Sequence, residues 1–306
     1  MDRRSAIHKI LIAGAASCYR GFAADSDDPG YIIRSDVRLV LLDVSVRDAH
    51  GALVSGLAQS DFEVLENGRR QPITVFDKGD IPITVGILVD ESRSMGPKRG
   101  EVIQAAESLV AASNPRDQFF VLNFNDTVRA GLPAETPFSD RPDQLRDALY
   151  RGRPEGRTAL NDAIVDGLEQ LEAGQRGRKA LVVVSDGGDN ASENTRREML
   201  ERVERSIATV YTVGLFDAQD GDQNPGLLNR LAEISGGHAY FPMDPAGMVS
   251  ICRKIAADIR SRYTLGYVPE INPGREELRH IQVRVWLKRQ RLKTHARTSY
   301  RIGGPA

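Results

Sequence analysis

Two hydrophobic patterns divide this chain. Near both ends apolar and polar residues alternate: Val40, Leu42, Val44 and Val46 interleave with Leu41, Asp43, Ser45 and Arg47, and residues 262–268 and 280–287 repeat the period. Such alternation predicts strands with one buried face. Residues 62–66 and 73–76 form two more short runs on either side of Asn67-Gly68, which predicts a hairpin. Residues 294–301 predict a last strand.

Between these ends the pattern changes. Val85, Ile87, Leu88 and Val89 form a continuous apolar run, as do residues 118–124, 180–184 and 209–215. Runs of this kind predict strands buried on both faces. Helical stripes separate them: Val102, Ala105, Ala106, Leu109 and Ala112 within residues 97–112, then Leu160, Ala163, Ile164, Leu168 and Leu171. Further helices are expected at 144–150, 227–234 and 245–259, a short strand at 238–241, and an edge strand at 126–130. Strands alternating with helices predict a parallel sheet covered on both faces. The fold class is therefore α/β, a Rossmann-like doubly wound, mostly parallel sheet, with a small β-rich satellite unit built from the N- and C-terminal arms.

At 306 residues the chain has room for one large α/β domain and a smaller unit. The expected division is an export signal at 1–24, an N-terminal β-rich arm at 25–80, the α/β domain at 81–260 and a C-terminal β arm at 261–306. The export reading rests on the basic residues Arg3, Arg4 and Lys9, the short Ala-rich apolar stretch of residues 10–17, and Phe22-Ala-Ala24 as a small-residue cleavage site. That apolar stretch is too short to span a bilayer, and no transmembrane segment is expected in the mature chain. The expected location is periplasmic, secreted or envelope-associated. A net charge of −1 gives no field to recruit nucleic acid. The locally basic end, including Arg297 and Arg301, reads as a solvated strand face. The two cysteines establish no disulfide framework, and Cys252, on the stripe of Met248, Ile255 and Ile259, reads as a core residue.

Candidate chemistry collects where buried strands end. The first run leads into Asp90-x-Ser92-x-Ser94, the strand of residues 180–184 into Ser185-Asp186-Gly187, and Gly156-Arg157-Thr158 opens a helix. Loops at the carboxyl ends of parallel strands are where open α/β sheets place their sites. Hydroxyls with few carboxylates suit a hard octahedral cation such as Mg²⁺. Taken alone, Asp-x-Ser-x-Ser is equally a polar turn with a capping serine. The five histidines show no metal-ligand spacing, and residues 217–222 hint at calcium without the terminal Glu of an EF-hand loop.

Together the three loops resemble the metal-ion-dependent adhesion site of von Willebrand factor type A domains, over roughly residues 81–259. The lead-in around Asp61-Phe-Glu-Val-Leu-Glu-Asn-Gly68 and the closing Tyr263-Thr-Leu-Gly-Tyr-Val-Pro269 are similar to those of acidobacterial-type relatives. The resemblance implies that Ser92 and Ser94 ligate the ion directly and Thr158 directly or through water. Asp90 and Asp186 would lie in its first or second coordination shell. It implies Mg²⁺, with Mn²⁺ or Ca²⁺ as alternatives, and a protein partner that offers an Asp or Glu carboxylate. Glu91, Arg93 and Asp189 are expected on the partner-binding rim; Arg93 stands where the family often has Gly. The implied function is an exported, metal-dependent protein-binding module that is not an enzyme. An envelope scaffold with a purely structural metal is the alternative from another class, followed by a metal-assisted hydrolase.

Overall fold

The computed structural model describes residues 39–216, 222–270 and 276–303. The expected export signal lies outside the described residues.

Four strands lead in: β1 (Val40–Arg47), β2 (Phe62–Glu66), β3 (Arg69–Gln71) and β4 (Val75–Lys78). Asn67 and Gly68 both take positive φ, 47° and 80°, as the tight turn between β2 and β3 requires. The hairpin returns into residues 69–71, not into the expected run at 73–76. β4 instead joins another sheet, against the strand β11 described below.

The α/β layer follows in order: β5 (Ile83–Asp90), α1 (Arg99–Ala112), β6 (Gln118–Phe124), β7 (Val128–Ala130), α2 (Pro142–Tyr150), α3 (Leu160–Ala173), β8 (Arg178–Ser185), α4 (Arg196–Arg205), β9 (Thr209–Gly214), α5 (Pro225–Ser235), β10 (Ala239–Tyr240) and α6 (Met248–Arg260). Its six strands lie in the order β10-β9-β8-β5-β6-β7, all parallel except the edge strand β7. Every residue of β5 and β8 is buried, which accounts for their unbroken apolar sequence. One apolar cluster joins this sheet to α1, α2 and α6 and another joins it to α3, α4 and α5, so the layer is doubly wound. Gly86, at the centre of β5, is required by packing, since a Cβ there would lie 2.3 Å from the Phe120 ring.

The tail supplies β11 (Tyr263–Tyr267), β12 (Glu277–Leu287), β13 (Gln290–Arg291), β14 (Lys293–His295) and β15 (Ser299–Ile302). The expected last strand is thus two pieces, β14 against β1 and β15 against β12. Lead-in and tail interleave: β1 lies between β14 and β11, and β2 lies between β12 and β3. Their inward faces share one core, including Leu42, Val44, Phe62, Val64, Leu265, Tyr267, Val283 and Val285. The basic end divides: Lys288, Arg289, Arg291 and Lys293 are exposed, as expected of a solvated face and turn, whereas Arg297 and Arg301 are not. Arg297 is buried and donates to the Val203 and Ser206 carbonyls, while Arg301 pairs with Glu204 at 2.7 Å. Cys252 is a core residue, its thiol pushed up to about 12 by burial.

Candidate metal centre

Sheet order creates the site. From β5 the chain moves to β6 on one side, and β8 lies on the other, so the connections diverge between β5 and β8. A crevice opens beyond the carboxyl ends of strands at such a switch point. Here it is a cleft of about 340 Å³, lined by Ser92, Arg93, Ser94, Gly156, Arg157, Thr158, Asp186, Gly188, Asn190 and Asp222. Ser92, Ser94, Thr158 and Asp186, remote in sequence, therefore meet.

The hydroxyl loop is held from beneath. Asp90, last residue of β5, is 1% exposed and lies behind the cleft wall. Its Oδ1 accepts the Ser92 N–H at 2.8 Å and its Oδ2 accepts the Ser185 hydroxyl at 2.6 Å. Burial pushes the Asp90 carboxyl up to about 6, against these hydrogen bonds. Ser92 Oγ and Ser94 Oγ lie 3.1 Å apart, and Ser94 donates to Asp186 Oδ2 at 2.8 Å. The other oxygen of Asp186 accepts the Gly188 N–H at 3.0 Å, which orients the carboxylate. Gly188 must be Gly, because a Cβ would lie 2.5 Å from the Asp222 carbonyl oxygen.

Backbone bonds fix the third loop. The Glu155 N–H donates to the Glu91 carbonyl at 2.9 Å, tying the loop before α3 to the loop after β5. The Thr158 N–H donates to Asn190 Oδ1 at 2.9 Å, and the Thr158 carbonyl accepts from the N–H groups of Asn190 and Ala191. Asn190 in turn donates to Asp222 at 2.6 Å. Thr158 is 5% exposed, yet no hydrogen bond engages its hydroxyl among the described residues. A hydroxyl that lines a polar cleft without a partner is available to a ligand.

The rim residues divide. Arg93 is exposed and lines the cleft as expected. Glu91 is 2% exposed and turned away, ion-paired with Arg99 at 3.0 Å. Arg99 also donates to the Leu149, Tyr150 and Gly152 carbonyls, so the pair braces α1 against the end of α2. Burial raises the Glu91 carboxyl, with Arg99 opposing the shift. Glu91 is therefore a structural residue and not part of the rim. Asp189 is also absent from the lining. It accepts from the Asn161 N–H, the Asn161 side chain and Ser192, which satisfies the first turn of α3. Asn190 lines the cleft beside it, with Arg157 and Asp222. No motif marked Arg157, and only contact with Thr158 distinguishes Asn190 from its acidic neighbour.

The donor set fits a hard divalent ion. Ser92, Ser94 and Thr158 offer neutral hydroxyls and Asp186 a carboxylate, with Asp90 fixed behind them. No group of three or more His, Cys, Asp or Glu with metal-holding geometry occurs among the described residues, so a thiolate- or imidazole-type centre is not formed there.

A family model, von Willebrand factor type A domain, matches residues 84–253, more than half of the chain. Among solved structures the chain is similar to a von Willebrand factor type A protein from Catenulispora acidiphila. They share 14% identity over 76% of this chain and 73% of that chain, with a TM-score of 0.53. It is also similar to proximal thread matrix protein 1 of the mussel byssus, at 14% identity over 64% of this chain and 51% of that chain, TM-score 0.51. A further structure of that mussel protein has a zinc-occupied MIDAS motif, and matches at 16% identity over 59% of this chain and 48% of that chain, TM-score 0.48. No curated protein matches.

Proposed function

Because the chain belongs to the von Willebrand factor type A domain family, we propose that it is a divalent-ion-dependent protein-binding module. The observation that carries this reading is the convergence of three loops on one cleft, with the Thr158 hydroxyl left without a partner. Ser92, Ser94, Thr158 and Asp186 would hold the ion, Mg²⁺ by the chemistry of the donors, with Mn²⁺ or Ca²⁺ as alternatives. Bound there, a divalent ion supplies positive charge that few anionic donors quench and a position that an incoming Asp or Glu carboxylate can take.

The chain's own residues do the positioning. Asp90 holds the Ser92 backbone and, through Ser185, the start of the Asp186 loop. Ser185 also accepts the Gly187 N–H at 3.0 Å, so one hydroxyl links β5 to the turn that carries Asp186. Asn190 sets the height of the Thr158 loop. The module binds without turnover, because the hydroxyls that a hydrolase would use as nucleophiles are committed as ligands. A purely structural ion is disfavoured by the open cleft above the donors.

Export near Ala24 forms part of this proposal, on the basic front and small-residue site alone; mass spectrometry of the protein from its host tests it. Among the described residues no helix is long and apolar enough to cross a membrane. The binding function is tested by immobilising the chain and passing envelope extract over it in Mg²⁺ or in chelator. The expected result is a protein retained only in Mg²⁺ and released by acidic peptide. Retention that ignores the chelator would overturn ion-dependent capture.

A further inference from the structure

Arg93 stands apart from the other charged groups of the cleft. Arg157 is engaged by Asp126 at 2.9 Å and by the Asn190 carbonyl at 3.2 Å. Asp186 is held by Ser94 and Gly188, and Asp222 by Asn190. Arg93 has no hydrogen bond or ion pair among the described residues, although it lines the same cleft. A guanidinium presents five donors in a planar fork suited to a carboxylate.

Its level in the cleft matters. Ser92 is 3% exposed and Asp186 4% exposed, whereas Arg93 between the two serines is exposed. The hydroxyls and Asp186 form a floor, and the guanidinium belongs to the rim. A carboxylate seated on the floor leaves the rim cation without an acceptor. The volume of about 340 Å³, equivalent to on the order of ten waters, exceeds the needs of one acidic side chain.

We propose that the cleft selects a protein segment bearing two acidic side chains, one directed to the hydroxyl floor and the other to Arg93 at the rim. This rests on the ion-dependent binding reading, and it adds a sequence requirement for the partner. Because the rim contact is exposed, it contributes selectivity more than affinity, and salt weakens it.

Fluorescence anisotropy with labelled Gly-Ser peptides tests this. One peptide carries a single Asp; the others carry two, separated by one, two or three residues. Each is titrated with wild type, Arg93→Ala and Arg93→Lys, in Mg²⁺ and in chelator. In wild type with Mg²⁺, at least one two-acid peptide should bind about fivefold tighter than the single-acid peptide. Arg93→Ala should bring the ratio of two-acid to single-acid affinity down to about one, whatever it does to the single-acid peptide alone, and Arg93→Lys should retain part of that ratio. Raising the salt should narrow the gap. A preference that survives in Arg93→Ala, or is missing from wild type, overturns the proposal. The chelator arm judges the underlying reading separately. Chelator-sensitive single-acid binding without a two-acid preference sinks this inference alone. Chelator-insensitive binding, or no binding of any peptide, sinks the ion-dependent reading and this inference with it. Arg93 supports no other described side chain, so both variants should fold, and circular dichroism checks that they do.

Discussion

Strand β8 begins and ends in polar clusters that follow opposite rules. At its start Arg178 pairs with Asp43 of β1 at 3.3 Å, beside a buried network centred on Asp258 of α6. Asp258 accepts from Ser45 at 2.6 Å, Arg47 at 2.7 Å, Tyr211 at 2.7 Å and Arg262 at 2.9 Å. Burial alone would raise its carboxyl, but the Arg262 guanidinium and these hydroxyls hold it well below the usual range. At the other end of β8, roughly 23 Å away at the usual rise per residue, the cleft keeps a hydroxyl and a guanidinium unpaired. The first cluster cements the β arms to the α/β layer. The second is held in shape while its ligand-facing groups remain available. The difference is one of access: Arg47 Nε, Arg178 Nη1 and His238 Nε2 are buried without partners at the junction, closed to any ligand, whereas the unpaired groups of the cleft line an open surface.

The largest expected effect comes from breaking the buried junction. Asp258→Asn leaves Arg262, 2% exposed, without its buried counter-charge. Losing one partner of a buried pair costs about 3–5 kcal/mol. Urea unfolding should show that loss, with metal binding by the folded fraction unchanged. A cost below about 1 kcal/mol would mean that the junction is not cemented by charge.

Glu91→Gln sharpens the comparison at the cleft itself. The carboxylate is nearly inaccessible and braced by Arg99, so a loss of about 1–3 kcal/mol is expected. Capture of acidic peptide should not change. Weaker capture at full stability would return Glu91 to the rim.

A pH titration probes the junction from another side. His238 and His295 lie against each other there, ring centroids 3.8 Å apart and planes tilted by 43°, and Asp258, Arg47, Arg262 and Lys293 surround them. Burial first, and the neighbouring imidazole second, bring His238 down to about 4. The unfolded chain therefore takes up this proton near 6.5 and the folded one only near 4. Stability contributed by the neutral ring is present above pH 6.5 and lost as pH falls towards 4. Asp258 keeps its contribution throughout this window, because its folded pKa lies below it. Asp90, raised to about 6, acts in the opposite sense by favouring the folded state as it takes up a proton. The difference between wild type and His238→Phe cancels Asp90 and should shrink as pH falls from 6.5 to 4. A difference independent of pH would contradict this assignment.

The smallest effect is expected at Ser192. It accepts the Asp162 N–H and donates to Asp189, outside the cleft. Ser192→Ala should cost about 1 kcal/mol or less and leave metal affinity unchanged by calorimetry.

Much of this was legible in the sequence where one residue pattern has one physical cause. Continuous apolar runs became β5 and β8 because both faces of those strands are covered. Asp-x-Ser-x-Ser and Ser-Asp-Gly ended those strands, so sheet order alone brought them together. What sequence could not separate was polar residues facing water from polar residues facing a buried partner. Arg297 reads like any residue of a basic strand, yet it fills a pocket of backbone carbonyls. Glu91 adjoins a ligand loop but points to Arg99, which is four residues C-terminal of Met95 on the next element. Asp189 and Asn190 differ by one position, and only the approach of α3 decides which of them faces the cleft.

Titration calorimetry of Mg²⁺ and Mn²⁺ into wild type and Asp186→Ala tests the central claim most directly. Asp186 lines the cleft and accepts from the Ser94 hydroxyl, and it lies at a strand end outside the apolar core. The expected result is saturable binding to wild type, a drop of about tenfold or more in the variant, and unfolding curves that nearly superimpose. Equal affinity for both proteins would contradict the assignment of the metal to this cleft.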